Sequence, residues 1–375
     1  MKFSVTMISH VFYPFTGGAQ THTLNLSRKL IEYGVEVSVV TRHHKGLARF
    51  EKIDNVPIFR VGYGDTPKII SGFSFIFSAL RLIKKQKFDI LHCHMVYSAM
   101  TTGVLARLLF NKRLIINPHG RIDRLIHTNP FIGRVRLHTI RMGDAFVSIS
   151  HDIHRELRQI GVKEALIWDI PNGVDTHLFR PVDKKAQIEL RHDLKIPDTP
   201  LIIYVGRLNT IKGLGTLINS IPQVLQRVPD LTLLILGDGE ERSTLEKHAE
   251  KSGASGNIIF CGRKDNVIPY LQASDVFVLP SRSEAFPVAL LEAMACGLPV
   301  VATKTSGASE ILQDGVLGRL VPKDDVRSLA EGLTEVLVSP DLRSRGQRGC
   351  RHILNRYSLG ATAESCIKMY ESLML

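Results

Sequence analysis

The sequence predicts an α/β fold of two doubly wound parallel sheets, and three observations carry the expectation. Short β-branched runs bounded by turn residues alternate with segments of helical period along the whole chain. That alternation pauses once, at IPNGVDTHLFRPVDKK, and then restarts. The length of 375 residues suits two domains at about 150 residues each. Strands separated by helices in this way belong to strand–helix–strand units, whose strands run parallel.

The first run, FSVTMIS, leads through PFTGGAQTH into a helix spaced over Thr21–Tyr33 and then into the strand VEVSVVT. FDILHCH, RLIINPHG and DAFVSIS continue the pattern. In the pause, Pro171, Gly173 and Pro181 punctuate a linker, which predicts a first domain over 1–180 and a second over 181–357. The second domain reads PLIIYVGRL, LTLLILGDG, NIIFCGR, VFVLPS and PVVAT, again with helical segments between them. The last helix, about 358–375, sets Leu359, Ala363, Ile367 or Cys366, Tyr370 and Leu373 at helical spacing. One apolar face must therefore be buried, and the helix is expected to pack back onto the first domain. No internal repeat and no low-complexity tract interrupts this order.

Composition excludes several classes. With 44% hydrophobic and 22% charged residues, 29 Gly and 17 Pro, the chain is neither collagen-like nor disordered. The net charge of +12 is unevenly placed: Lys and Arg outnumber Asp and Glu 25 to 13 in residues 1–180 and equal them at 23 each in 181–375. A nucleic-acid binder would add a basic helix or an aromatic platform to such an excess; neither is present, so no nucleic-acid partner is expected. Five dispersed cysteines without a CxxC pair fit a reducing compartment and predict a cytoplasmic location. The N-terminal MKFSVTMISH runs into a Gly-Gly loop instead of a small-residue cleavage site, so it does not read as a signal peptide. No window holds the roughly 18–20 apolar residues of a membrane span.

Ligands of doubly wound sheets lie beyond the carboxyl ends of the strands, and the candidate residues fall there. Gly17 and Gly18 open a helix, where free N–H groups and a positive dipole end suit a phosphate; a plain strand-to-helix turn is the alternative. The loop is neither GxGxxG nor a P-loop, which argues against nicotinamide cofactors and ordinary nucleoside triphosphatases. Arg207 and, five residues on, Lys212 follow a strand between Gly206 and Gly213. A guanidinium fork and a mobile ammonium suit a diphosphate, and a solvated surface pair is the competing reading. Glu284 and Glu292 have seven residues between them, with Phe286 and Pro287 after the first and a helix around the second. Pro287 suits the first turn of that helix and leaves the following N–H groups to face an anion. Glu292, among Ala, Leu, Met and Cys, needs a partner, either the vicinal hydroxyls of a ribose or a cation in a buried ion pair. His92, Cys93 and His94 on an alternating strand fit packing better than metal binding. Without Asp-x-Asp or further Cys and His at ligand spacing, no metal is expected.

Together these motifs resemble a known family. PFTGGAQTH, FDILHCH, NPHG, PNGVDTHLFRP, YVGRLNTIKG, LGDG, SDVFVLPSRSEAFPVALLEAMACGLPVVAT and GRLVPKDD make the chain similar to glycosyltransferase family 4. These are retaining glycosyl transferases of group 1 with the GT-B fold, two facing Rossmann-like domains with a cleft between them. The likeness spans the chain and is densest from Tyr204 to Asp325. It implies a retaining, metal-independent transferase that moves a hexosyl unit from a UDP- or GDP-sugar co-substrate, with no cofactor. The products it implies are glycolipid, cell-surface polysaccharide or glycoconjugate. Matched motif by motif, the resemblance implies that Arg207 and Lys212 hold the diphosphate, that Glu292 accepts the ribose hydroxyls and that Glu284 contacts the donor sugar. Gly17 and Gly18 would lie beside the phosphates, His119 would face the sugar from the first domain, and backbone near Gly262, Arg263 and Lys264 would take the base. Phe286, Pro287 and Val288 would present main-chain groups to the phosphates, although Pro287 stands where the family commonly has Gly and offers no N–H. The catalytic set so implied is Glu284, His119, Arg207 and Lys212.

With the donor assigned to the neutral half, the basic half is left for the acceptor, expected to be lipid-linked, anionic or a saccharide. Residues 68–87, KIISGFSFIFSALRLIKKQK, read either as the core helix before FDILHCH or as a segment lying on an anionic membrane surface. A second basic stretch runs from Arg134 and Arg136 through His138 to Arg141. The rival readings are a nucleotide-sugar 2-epimerase of the same fold and a non-catalytic protein that binds a nucleotide-sugar or polyanion.

Overall fold

The computed structural model describes residues 3–15, 17–86, 88–95, 98–120, 122 and 137–375. The chain forms two compact units, one of Met1–Gly173 with Leu359–Leu375 and one of Val174–Ser358.

The strands of the first unit are β1 (Ser4–Ile8), β2 (Glu36–Arg42), β3 (Phe50–Ile53), β4 (Val56–Val61), β5 (Ile90–His94), β6 (Arg113–Asn117), β7 (Ala145–Ser148) and β8 (Ile167–Asp169). They make one sheet in the order β3-β4-β2-β1-β5-β6-β7-β8, parallel except for the β3/β4 hairpin. Its helices include α1 (Gly18–Glu32), α2 (Lys68–Lys85), α3 (Ser98–Phe110) and α4 (His151–Gln159). The second unit has β9 (Leu201–Val205), β10 (Thr232–Leu236), β11 (Ile258–Gly262), β12 (Val276–Leu279), β13 (Val300–Thr303) and β14 (Arg319–Val321). Their order, β11-β10-β9-β12-β13-β14, is the doubly wound order 3-2-1-4-5-6, which reverses between β9 and β12. The first sheet reverses in the same way between β1 and β5. Helices α5 (Lys184–Asp193), α6 (Leu214–Leu225), α7 (Arg242–Lys251), α8 (Ile268–Ala273), α9 (Val288–Ala295), α10 (Ser306–Ile311), α11 (Val326–Leu337) and α12 (Leu342–Arg356) complete the second unit.

The central strands are buried on both faces, which explains their unbroken apolar runs: every residue of β10 and β12 is buried. The last helix, α13 (Leu359–Met374), belongs to the first unit. There the Tyr370 hydroxyl lies 2.9 Å from Nδ1 of His92, and the Thr362 hydroxyl donates to the Pro171 carbonyl at 3.1 Å.

Several elements differ from the sequence expectation. Helix α1 starts three residues before Thr21, because its first turn is built on Gly18, Ala19 and Gln20, which carry no apolar period. The β3/β4 hairpin was not expected; Asp54 (φ 49°) and Asn55 (φ 65°) form the two-residue turn with positive φ at both positions that joins such strands. β8 and β14 have three residues each, too few to show a period. The 68–87 segment forms α2 over Lys68–Lys85, with one face buried and the other exposed. Ser71, Phe75, Ala79 and Ile83 of α2 are buried, whereas Ile69 (74%), Phe73 (70%) and Phe77 (63%) are exposed. Lys87, Arg134 and Arg136 lie outside the described residues; Arg141 donates from Nε to the Ile160 carbonyl. Among the described residues, no helix is long and apolar enough to cross a membrane.

Candidate functional site

In the second unit, the loops leaving β9 and β12 meet at the point where the strand order reverses. Two glycines make the close approach possible. Gly213 (φ 66°) ends the turn Thr210–Lys212, and a Cβ there would stand 2.1 Å from the Pro280 carbonyl oxygen. Gly237 of LGDG (φ 145°) is likewise confined, its Cβ position being 1.8 Å from the Gly206 oxygen. The ammonium of Lys212 consequently lies 2.6 Å from Oε1 of Glu284, which also accepts from the Ser281 hydroxyl at 2.7 Å. The Glu284 carbonyl accepts from the Gly307 N–H at 3.2 Å and the Ser306 hydroxyl at 3.3 Å. Arg282 ties the same loops together, its N–H donating to the Ile211 carbonyl at 2.8 Å and its guanidinium to Asp324 at 2.7 Å.

Arg207 is 70% exposed and pairs with Glu240 at 3.2 Å, a contact worth little in water that leaves the cation available to a ligand. Arg263 follows the edge strand β11 and stands 3.8 Å from Asp265. Pro287 corrects an expectation: with ψ at 108° it is the cap before α9, one residue outside the first turn. The Val288 and Ala289 N–H groups find no acceptor among the described residues, while Leu290 donates to the Pro287 carbonyl at 3.2 Å. They supply the orphan donors that a helix start offers an anion. Phe286 is buried edge-on to Tyr357, with ring centres 5.6 Å apart. Glu292, one turn into α9, has no ion-pair or hydrogen-bond partner among the described residues, so the buried ion pair weighed above is absent there. Its apolar surroundings push the carboxyl up to about 7.

The first unit has its own cluster where its sheet reverses. Helix α1 begins at Gly18 without a side-chain cap, and a Cβ on Gly18 would meet nothing within 4 Å. The preceding loop is pinned by buried Arg60, which donates to the carbonyls of Tyr13 at 2.8 Å and Ala48 at 3.1 Å. His119 follows β6 in a left-handed conformation (φ 54°). Its Nε2 lies 2.6 Å from Nδ1 of His94, and the two rings stack at 4.9 Å. His92 also stacks on His94 at 4.4 Å, and His22 of α1 meets the His119 ring edge-on at 5.8 Å. Burial pulls His94 and His119 well below the usual imidazole range and pushes His22 down to about 4 and His92 to about 3, so all four rings are neutral at pH 7. Sequence reasoning had no hold on Ser281, Glu240 or His22 as parts of these clusters; His22 falls one turn after Gly18, which is the one signal that could have pointed to it. Among the described residues, no group of three or more His, Cys, Asp or Glu side chains is placed to hold a metal ion.

Both halves of the chain match family models, residues 16–178 that of Glycosyltransferase Family 4 and residues 186–351 that of Glycosyl transferases group 1. The chain belongs to glycosyltransferase family 4. This glycosyltransferase is similar to N-acetyl-alpha-D-glucosaminyl L-malate synthase of Bacillus anthracis, at 25% identity over 374 residues covering 96% of this chain and 94% of that one. It is also similar to the GDP-mannose-dependent alpha-(1-6)-phosphatidylinositol monomannoside mannosyltransferase of Mycolicibacterium smegmatis, at 26% identity over 344 residues and 89% of each chain. In fold the enzyme resembles sucrose-phosphate synthase from Thermosynechococcus elongatus, with a TM-score of 0.86 at 24% identity, covering 100% of this chain and 99% of that one. The GT-B class expected from the sequence is the class observed.

Proposed function

We propose that this glycosyltransferase moves a hexosyl unit from a UDP- or GDP-sugar to an acceptor hydroxyl with retention at the anomeric carbon. Protein cations serve in place of a metal, and no cofactor takes part. The observation that supports this reading is the Lys212–Glu284 pair at the reversal of the second sheet, beside the free N–H groups of Val288 and Ala289 and the unpartnered Glu292.

As the bond between the anomeric carbon and the diphosphate oxygen breaks, negative charge grows on the leaving group and the sugar becomes oxocarbenium-like. Lys212, Arg207 and the α9 N–H groups stabilise that charge, an effect that typically lowers a barrier by several kcal/mol. Glu284, oriented by Lys212 and Ser281, accepts a hydroxyl of the sugar, and Glu292 accepts the ribose hydroxyls. The acceptor oxygen attacks from the face the leaving group departs, and a phosphate oxygen takes its proton. Arg263 and its neighbouring backbone take the base. Gly17 and Gly18 at the start of α1 are the candidates for a phosphate, and His119 after β6 is the candidate for a sugar hydroxyl.

For the acceptor, the exposed Ile69, Phe73 and Phe77 of α2, followed by Arg81, Lys84 and Lys85, favour an anionic membrane surface carrying a lipid-linked substrate. Five free thiols fit a cytoplasmic enzyme at the inner face of such a membrane. The relatives' names include L-malate and a phosphatidylinositol monomannoside, both anionic compounds. The decisive experiment is a thermal-shift screen of nucleoside diphosphates and nucleotide sugars, followed by NMR of the product's anomeric configuration with and without EDTA. A melting point unmoved by every nucleoside diphosphate, or an inverted product, would overturn the reading; a 2-epimer formed without acceptor would replace it with the epimerase.

A further inference from the structure

The histidine cluster of the first unit has a directional order that the reaction can use. His94, the last residue of β5, is fully buried between two partners. Its Nε2 lies 3.2 Å from Sδ of Met7 on β1, and its Nδ1 lies 2.6 Å from Nε2 of His119. The titratable groups around this pair are His92, stacked on His94, and His22, edge-on to His119; Tyr370 closes the far end through its hydroxyl at 2.9 Å from His92. Burial keeps every ring neutral, so each carries one N–H.

A thioether sulfur has lone pairs and no proton. An unprotonated Nε2 of His94 would set two acceptors against each other, so the His94 proton belongs on Nε2, where it points at Met7. Nδ1 of His94 is then the acceptor, and His119 must donate from Nε2. That leaves the Nδ1 lone pair of His119 without a partner among the described residues. We infer that Met7 and His94 fix His119 as its Nε2–H tautomer, so that His119 presents an acceptor, not a donor, to a hydroxyl of the transferred sugar. His94 is thereby a positioning residue: it touches no substrate but decides what His119 can recognise. This inference rests on the proposed role of His119 toward the donor sugar. It adds that the sugar must offer an O–H there.

Nitrogen-15 NMR of the histidine-labelled full chain at neutral pH, with His119 assigned by loss of its signals in His119→Gln, reads the tautomer without substrate. A neutral ring with unprotonated Nδ1 is expected; an Nδ1–H tautomer or an imidazolium overturns the inference. Met7→Leu, which keeps the volume and removes the sulfur, should turn the single His119 tautomer into a mixture. An unchanged single tautomer would show that sulfur sets nothing. In turnover, His94→Leu should lower kcat by about 10- to 100-fold, the scale seen when the partner that orients a functional histidine is removed. Binding of the free nucleoside diphosphate should stay unchanged, and His94→Asn, whose carbonyl can accept from His119, should recover most of the rate. Equal losses in both variants would overturn the positioning role. A wild-type chain that turns over no nucleotide sugar would overturn the functional reading instead, and the NMR result would still decide the tautomer.

Discussion

Two glutamates of one spacing motif stand in different surroundings in this glycosyltransferase. Glu284 is committed to Lys212 and Ser281, whereas Glu292 stands on α9 without a partner among the described residues. Replacing Lys212 with Ala removes the charge proposed to face the leaving diphosphate, and kcat should fall by about 100- to 1000-fold in a donor-turnover assay, the scale for a lost transition-state donor. Glu292 makes a prediction with a definite sign. Its carboxyl is raised in the fold above its ordinary value near 4.5, to about 7, so the fold prefers it protonated. The corresponding stability is present below pH 4.5 and is lost as pH rises through about 7. Glu292→Gln should therefore raise the melting temperature at pH 8, by an amount equivalent to about 1–3 kcal/mol, and leave it unchanged at pH 4 while weakening nucleoside diphosphate binding. Equal melting temperatures at pH 8 would refute the burial argument. The carboxylates were legible from their spacing and apolar context. Ser281 and Glu240 were not, because the contacts they make depend on which loops become neighbours, and the place of β9 between β10 and β12 in the sheet is not written in the sequence.

Elements with a strong period were the easiest to read, and those fixed by backbone conformation the hardest. The buried parallel strands announce themselves as apolar runs. Asp54-Asn55 carries the β3/β4 hairpin by positive φ alone, and the start of α1 lies in glycines that have no period to show. Gly18 offers a clean test of that helix start. Since a Cβ there meets only open space, Gly18→Ala should hold or slightly raise the melting temperature, by roughly 0.4–1 kcal/mol, because it restricts the unfolded chain. Turnover of the donor should fall if phosphate approaches there, and full activity would remove Gly18 from the site. Helix α2 is legible as a helix, but its two faces answer to different surroundings, which a single period cannot distinguish. Phe73→Asp with Phe77→Asp changes only exposed positions. The double variant should fold normally and lose flotation with anionic liposomes; equal flotation of variant and parent would exclude α2 as the contact.

At the scale of the molecule, the first unit, which carries the basic excess, should also be the more sensitive to acid. His22 and His92 are held neutral in the fold, with values near 4 and 3, whereas an exposed histidine titrates near 6.5. Stability from these rings is present above pH 6.5 and is lost as pH falls toward 4, because the unfolded chain takes up protons that the fold refuses. Each ring should withdraw about 2 kcal/mol by pH 5. Circular dichroism followed from pH 7 to 4 should show the first unit melting before the second, and Tyr370→Phe, which strands Nδ1 of His92, should bring that transition about 1–3 kcal/mol closer at neutral pH. A single simultaneous transition would contradict it. The return of α13 to the first unit also has a consequence in time. Ribosomes emit roughly 5–20 residues per second, so the residues Val174–Ser358 separate the body of the first unit from its last helix by about 10–40 s of synthesis. During that interval the surface that receives Tyr370 is uncovered, and the inserted unit can finish folding before the unit that brackets it is sealed.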